Sequence, residues 1–231
     1  MDVGTSNESS RIAWVKRILS EIPPGLRILD AGAGELKYKP WCAHLEYVSQ
    51  DSCHYSGEGD GRGLQPRTWD TSRVDIVSDI TSIPEPDGSF DAVMCIEVLE
   101  HLPNASLVLE EFNRLLRQRG HLIVTAPFCS LTHFAPYHFY SGFNTYFYEK
   151  HLPEYGFRIV EIERNGNFFE YLAQEIRRLP AIMEKYAECR PRIWETVAMR
   201  TILLMLQRLT TIDKRSGEIL CFGYHVYARK E

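Results

Sequence analysis

An α/β fold with a mostly parallel sheet and crossover connections is what this sequence predicts, on three observations. Short apolar runs alternate with helical or loop segments along most of the chain. The first of these runs ends in an acid and a glycine-rich turn, Leu29-Asp30-Ala31-Gly32-Ala33-Gly34, and ligands of open α/β sheets bind beyond the carboxyl ends of the strands. The third is composition: 231 residues, 44% hydrophobic and 25% charged, suit one well-packed domain and argue against disorder, collagen and coiled coil.

Residues 1–8 are polar and expected to fray. After the candidate caps Ser9 and Ser10, Ile12, Val15, Ile18 and Leu19 recur at helical spacing, so a helix within residues 1–25 precedes the sheet. Strands are expected at 26–29, 47–49, 74–77, 90–96, 121–126 and 157–162. Between the fourth and fifth, Leu107, Leu109, Phe112, Leu115 and Leu116 set an apolar stripe against Glu111, Arg114 and Arg117, which predicts a helix over 106–118 that Gly120 ends. Residues 52–73 form a long polar connection with Gly57, Gly59, Gly61 and Gly63, too glycine-rich for a helix, which either folds over a site or is mobile. Residues 167–213 read as two helices broken near Arg190-Pro191, ahead of a terminal strand at about 219–228. The expected organisation is one domain: a core at 26–166, a helical insertion at 167–213, and a closing segment at 214–231. The strands flanking the insertion belong to the same sheet in this reading.

Charge and cysteine usage narrow the function classes. With 26 basic and 31 acidic side chains the net charge is −5, so no global attraction draws nucleic acid phosphates. No apolar stretch approaches the ~20 residues that cross a bilayer, and no leader opens the sequence, so a cytoplasmic protein is expected. The six cysteines are scattered without CxxC pairs or close Cys/His spacing, which predicts reduced thiols, most of them in the core, and no metal site. Glu58 and Asp60 in the glycine stretch are too few for calcium.

The turn after Leu29 carries the chemistry. Glycines at 32 and 34 let the backbone bend sharply and approach a ligand. A dinucleotide fingerprint would place a third glycine where Lys37 stands. Asp30 at the strand end would repel a pyrophosphate but suits a cationic amino-acid group, which favours S-adenosylmethionine over NAD. Asp51, at the tip of the second strand, can accept hydrogen bonds from both ribose hydroxyls.

Together with Val77-Ser78-Asp79-Ile80, the block Ser89-Phe90-Asp91-Ala92-Val93-Met94-Cys95-Ile96-Glu97-Val98-Leu99-Glu100-His101-Leu102 and residues 120–127, these features resemble the class I S-adenosylmethionine-dependent methyltransferases over roughly residues 11–165. The resemblance implies a Rossmann-like seven-stranded sheet whose last strand returns antiparallel. It implies that Asp30, Gly32 and Gly34 border the methionine part of S-adenosyl-L-methionine, Asp51 holds the ribose, Asp79 and Ile80 meet the adenine, and Cys95, Ile96 and Glu97 line the other side. Leu36 stands where the family has a third glycine, and Pro40 shortens the following helix. The Glu-Val-Leu-Glu-His-Leu-Pro element resembles small-molecule methyltransferases, many found beside bacterial glycan-biosynthesis genes, which implies an O or N atom of a small, sugar-like acceptor.

His101, just past the fourth strand, is the candidate catalytic base; the alternative is that it only bonds backbone near the next helix. The aromatic-rich segment 127–151 suits an acceptor pocket, with His133, Tyr137 and His138 expected to touch substrate and Phe143, Tyr146 and Phe147, at helical spacing, expected to pack. Asn104-Ala105-Ser106 is read as a helix start and not a glycosylation site. The apolar run 202–206 is expected to be buried against the sheet or a second subunit, which makes the insertion the candidate homodimer surface; contact with a membrane is the sharper alternative. Two other classes stay open at this stage: a non-catalytic nucleoside-binding partner subunit and an NAD-dependent oxidoreductase.

Overall fold

The apolar run ending at Asp30 becomes β1 (Arg27–Ala31), in which Ile28, Leu29, Asp30 and Ala31 are all buried. A strand covered on both faces needs no polar alternation, which is why its sequence is nearly continuous in apolar residues. In the computed structural model, which describes residues 2–231, β1 pairs in parallel with β2 (Glu46–Asp51) and β4 (Phe90–Ile96). β2 pairs with the two-residue edge strand β3 (Ile76–Val77), and β4 with β5 (Leu116–Pro127). β7 (Gly223–Lys230) runs antiparallel to β5, and β6 (Phe157–Asn165) lies beyond it, giving a seven-stranded sheet of order β3-β2-β1-β4-β5-β7-β6 among the described residues. All six predicted internal strands take part. The terminal one starts at Gly223, later than expected, because a 3-10 turn over Ser216–Glu218 precedes it and Ile219 is exposed.

The residues divide into two compact units, Ala13–Glu163 with Gly223–Glu231, and the residues up to Ile12 with Arg164–Phe222. In the first, α2 (Ala105–Leu115) is capped by Asn104, whose side chain accepts from the Ser106 and Leu107 amides, as the helix-start reading anticipated. Its buried stripe is Val108, Leu109, Glu111, Phe112 and Leu115; Leu107 points to solvent. Glu111 was expected on the polar face. It tolerates burial because it accepts from the Ile83 amide at 2.7 Å and from Arg114 at 2.7 and 2.8 Å. Gly120 does not end the helix: the chain enters β5 directly at Leu116, Arg119 takes the left-handed turn at φ 63°, and the β4–β5 register shifts between Phe90 and Ala92. α3 (Thr145–Glu154) buries Tyr148 and Leu152, whereas Tyr146, expected to pack, is exposed.

His121 sits in β5 with Nδ1 2.8 Å from the Tyr227 hydroxyl, and burial, followed by the charge of Arg229, lowers its pKa to about 4. An unfolded chain protonates this imidazole near pH 6.5 while the folded one does not, so stability falls as pH drops from about 6.5 to 4. We expect His121→Gln to flatten that slope by up to about 3 kcal/mol in urea unfolding, whatever it costs at neutral pH; an unchanged slope would remove His121 from the acid response.

In the second unit, α4 (Phe168–Ala187) is capped by Asn167 and ends where Glu188 turns left-handed at φ 51°, and α5 (Ile193–Ile212) follows. The predicted break near Arg190-Pro191 falls between them. Val3, Ala173, Leu203 and Leu206 form the unit's core. The opening residues are therefore not frayed: Val3 is buried and the Gly4 amide donates to Glu170 at 2.7 Å. α1 (Asn7–Glu21) begins before Ser9 and Ser10, since the Ser10 amide already bonds the Ser6 carbonyl. Helical periodicity splits the 202–206 run, with Leu203 and Leu206 buried and Leu204 and Met205 exposed. No described helix is long and apolar enough to cross a membrane. All six cysteines are free, but only Cys42, Cys95 and Cys221 are buried, fewer than expected.

Candidate functional site

The turn after β1 is pinned to the end of β2. The amides of Gly32 and Ala33 donate to the Gln50 carbonyl at 2.8 and 2.9 Å, and that of Gly34 donates to Asp51 Oδ2 at 3.0 Å. Left-handed backbone at Gly32 (φ 75°) and Gly34 (φ 51°) makes this possible. A Cβ at 32 would lie 2.5 Å from Val98, and one at 34 would lie 2.5 Å from Trp69. Leu36, at φ 62°, takes the conformation that the missing third glycine would have taken, and is buried. Beyond it comes only a 3-10 turn (Lys39–Cys42) with Pro40 near its start. With three successive amides spent on β2 and no α-helix opening here, the turn offers no cradle of N–H groups for a pyrophosphate. That weighs against a dinucleotide.

Two carboxylates flank the turn. Asp30 is buried and accepts from the Tyr47 hydroxyl at 2.6 Å. Burial first, with Asp51's negative charge adding, raises its pKa to about 7, against the lowering effect of Tyr47. Asp51 is half-buried and accepts the Gly34 amide on Oδ2 and the Cys53 amide, at 2.9 Å, on Oδ1. Each oxygen keeps a further lone pair, the number two neighbouring hydroxyls would need. Asp79 holds a turn by accepting from the Thr81 amide and hydroxyl, both at 2.8 Å, which lowers its pKa, and Ile80 is buried beside it.

At the end of β4, Cys95 is fully buried, and burial pushes its thiol pKa well up. Ile96 and Glu97 stand at the strand tip. Glu97 is left-handed (φ 58°), with its carboxylate accepting from the Thr125 hydroxyl at 2.9 Å. Glu100 and His101 follow in a 3-10 turn (Leu99–His101).

The structure brings His101, His133 and His138 together, with ring centroids 4.7 Å (101–133), 4.8 Å (133–138) and 6.0 Å (101–138) apart. Tyr137 contributes its carbonyl, 2.6 Å from His101 Nδ1. Burial, then the neighbouring His133, lowers the pKa of His101 to about 3, so at neutral pH the ring is uncharged and a weak base. His138 is shifted down for the same two reasons.

The glycine-rich loop 52–73 folds over this cluster. The Leu64 amide donates to the Thr132 carbonyl at 2.9 Å, Phe134 to Leu64 at 3.1 Å, and Asp60 to Ala135 at 3.0 Å. Tyr55 and Trp69 close on Phe134 with centroids 4.5 and 5.0 Å away, and Phe134 lies 5.2 Å from His101. Trp69 and Tyr55 were missed in the sequence because nothing local ties them to the Gly34 turn. A Cβ on Gly63 (φ 63°) would lie 2.3 Å from the Thr132 carbonyl oxygen. Gly63→Ala is therefore expected to lift the loop, costing roughly 1–2 kcal/mol for the left-handed backbone alone and speeding proteolysis within residues 52–73. Cleavage at the wild-type rate would show that the loop does not depend on this packing.

Residues 29–124 match the family model described as a methyltransferase domain. A ubiquinone biosynthesis O-methyltransferase from Xanthomonas oryzae pv. oryzae is 38% identical over 112 residues, 44% of this chain and 43% of that protein. The chain thus matches less than half the length of that curated relative. Among solved structures, a SAM-dependent methyltransferase from Archaeoglobus fulgidus superposes with a TM-score of 0.57 at 18% identity, covering 97% of this chain and 95% of the other. The cyclase SpnF has a TM-score of 0.57 at 17% identity, covering 94% and 80%. These likenesses establish the fold; the second shows that the fold also hosts other chemistry.

Proposed function

We propose that this chain, a class I S-adenosylmethionine-dependent methyltransferase, transfers the methyl group to a hydroxyl oxygen of a small acceptor lying between the loop 52–73 and the histidine cluster. The observation that carries the reading is the meeting of a cation-compatible turn (Asp30, Gly32, Gly34, Asp51) with a cluster of three imidazoles under an aromatic cover. The sulfonium supplies its own leaving group, so the protein's work is to place the acceptor oxygen in line with the methyl carbon and to exclude water. Asp51 binds the ribose hydroxyls, Asp30 faces the methionine end, and Asp79 with Ile80 borders the adenine. Tyr55, Trp69 and Phe134 cover the methyl group, where ring faces attract a sulfonium.

His101 acts by position: its Nδ1–H is fixed to the Tyr137 carbonyl and its Nε2 lone pair orients the acceptor hydroxyl. Oxygen is favoured over nitrogen because the curated relative is an O-methyltransferase and because a buried imidazole lone pair can take a hydroxyl proton in a hydrogen bond. A sugar-like polyol and a phenol both meet this requirement. The test is radiolabelled methyl transfer from S-adenosylmethionine across a panel of polyols, phenols and amines. Label on hydroxyl acceptors supports the reading, label confined to amines refutes it, and cofactor binding without any transfer would favour a non-catalytic partner subunit.

The exposed apolar side chains of α5, Ile193, Trp194, Val197, Leu204 and Met205, are the proposed self-association surface, and a cytoplasmic location fits the free thiols. Leu204→Glu should abolish any dimer seen by analytical ultracentrifugation.

A further inference from the structure

Four cationic side chains gather where β5 begins, β6 begins and β7 ends. Arg119, Arg158, Arg229 and Lys230 line a cavity of about 850 Å³, with Glu231 the one acid among its lining residues. β5 runs parallel to β4 and β1, and His121 pairs with Arg229 of the antiparallel β7. The cavity therefore lies at the end of the sheet opposite the turn after β1. Elsewhere in this unit Arg17, Arg27, Arg114 and Arg117 each meet a carboxylate. Here none of the four does. The side chains of Arg119 and Arg158 make no hydrogen bond or ion pair among the described residues. Arg229 donates to the Arg119 carbonyl at 2.7 Å and the Tyr227 hydroxyl at 3.3 Å, and Lys230 to the carbonyls of Asn113 and Leu116 at 2.6 and 2.9 Å, all neutral oxygens. In a chain of 31 acidic and 26 basic side chains, positive charges left together without a counter-ion repel one another until an anion joins them.

Two of these groups are fixed in place. Arg229 spends two of its five N–H groups on its two contacts and keeps three. The Tyr227 hydroxyl, accepting from Arg229, gives its own proton to His121 Nδ1 at 2.8 Å. Burial first, then the charge of Arg229, lowers the pKa of His121, so that charge is felt in the neighbouring strand. Arg119 is exposed and left-handed at φ 63°, a conformation glycine takes without strain, yet the position carries a guanidinium. We propose that this cavity binds a phosphorylated small molecule, its phosphate held by Arg119, Arg158 and Arg229 and its organic part resting against Val160 and Tyr227. Planar guanidinium forks match phosphate oxygens two at a time, and three forks offer more donors than the two oxygens of a single carboxylate accept. Val160, 47% exposed, and the Tyr227 ring give the wall on which an organic group loses water. Lys230 adds charge while its ammonium satisfies the last carbonyls of α2. Because the two sites stand at opposite ends of the sheet, the phosphorylated ligand and the cofactor bind together.

The test is calorimetric titration of the whole chain at fixed ionic strength with inorganic phosphate, inorganic pyrophosphate and phenyl phosphate, each with and without S-adenosylhomocysteine. We expect pyrophosphate to saturate at one per chain with the same affinity in both conditions, and phenyl phosphate to bind at least about threefold tighter than phosphate. Arg158→Ala and Arg119→Gly should each weaken pyrophosphate at least about tenfold. Lys16→Gln, which removes a charge from exposed α1 outside the cavity, should change it less than about twofold. Glycine suits the left-handed backbone and keeps the carbonyl that holds Arg229, so Arg119→Gly should melt no lower than wild type while losing the anion. Heats that never saturate, or the same loss in Lys16→Gln as in the two cavity variants, overturn the site. Competition between pyrophosphate and S-adenosylhomocysteine overturns its remote placement, and equal affinity for phosphate and phenyl phosphate overturns the organic part. A chain that sediments with phosphatidylglycerol vesicles yet binds none of the three soluble phosphates overturns the small ligand in favour of a membrane surface.

Discussion

Replacing Asp51 with alanine is expected to weaken S-adenosylhomocysteine binding about 100-fold, since two hydrogen bonds to a charged acceptor are worth roughly 3 kcal/mol together. The carboxylate does two jobs. It fixes the Gly34 and Cys53 amides, holding the turn and the start of the loop 52–73, and in the proposed site its remaining lone pairs take the ribose hydroxyls. Asp51→Asn separates these jobs, because an amide oxygen can retain one backbone contact but cannot serve both amides and both hydroxyls. It should fall between wild type and alanine. Asp79→Asn should cost far less, because Asp79 is exposed and already engaged by Thr81. Isothermal titration of the three variants gives the order; Asp79→Asn proving worst would move the nucleoside away from β2.

His101→Ala is expected to act at the other end of the reaction, lowering kcat by about 10²- to 10³-fold, with affinity for S-adenosylhomocysteine within about threefold of wild type. The imidazole touches Tyr137, His133 and Phe134, whereas the proposed cofactor contacts lie at the turn after β1. Its loss should therefore be felt by the acceptor and the transition state. His101→Ala and Asp51→Ala showing the same large loss of cofactor affinity would contradict this division between the β1–β2 end and the β4–β5 end of the site.

The strands and the tight turn after β1 were legible in the sequence because each is local. An apolar run, an acid and two glycines lie within a few residues, and a parallel sheet then dictates where the loop falls. Asn104 announced its helix for the same reason. Three things were not local. Glu111 reads as polar until its partners Ile83 and Arg114 are placed beside it. Gly120 reads as a helix stop, but the left-handed turn falls one residue earlier, at Arg119, and strand pairing with Phe90 and Ala92 takes over. The loop 52–73 reads as a polar connection that either folds over a site or is mobile; in the fold, Gly59 and Gly63 stand where the backbone of Ala135 and Thr132 approaches too closely for a Cβ. That docking brings Tyr55 and Trp69 onto Phe134, and the contacts of Tyr137, Phe139 and Tyr140 with Glu100 and His101 turn three dispersed histidines into neighbours.

Calorimetric titration of the wild-type chain with S-adenosylmethionine and S-adenosylhomocysteine, and with NAD as the comparison, bears most directly on the central claim. Saturable binding of both sulfur compounds at one per chain, with none of NAD, is the predicted result. Folded protein that gives no heat with either compound, or that takes NAD as tightly, would show that the turn after β1 serves something else.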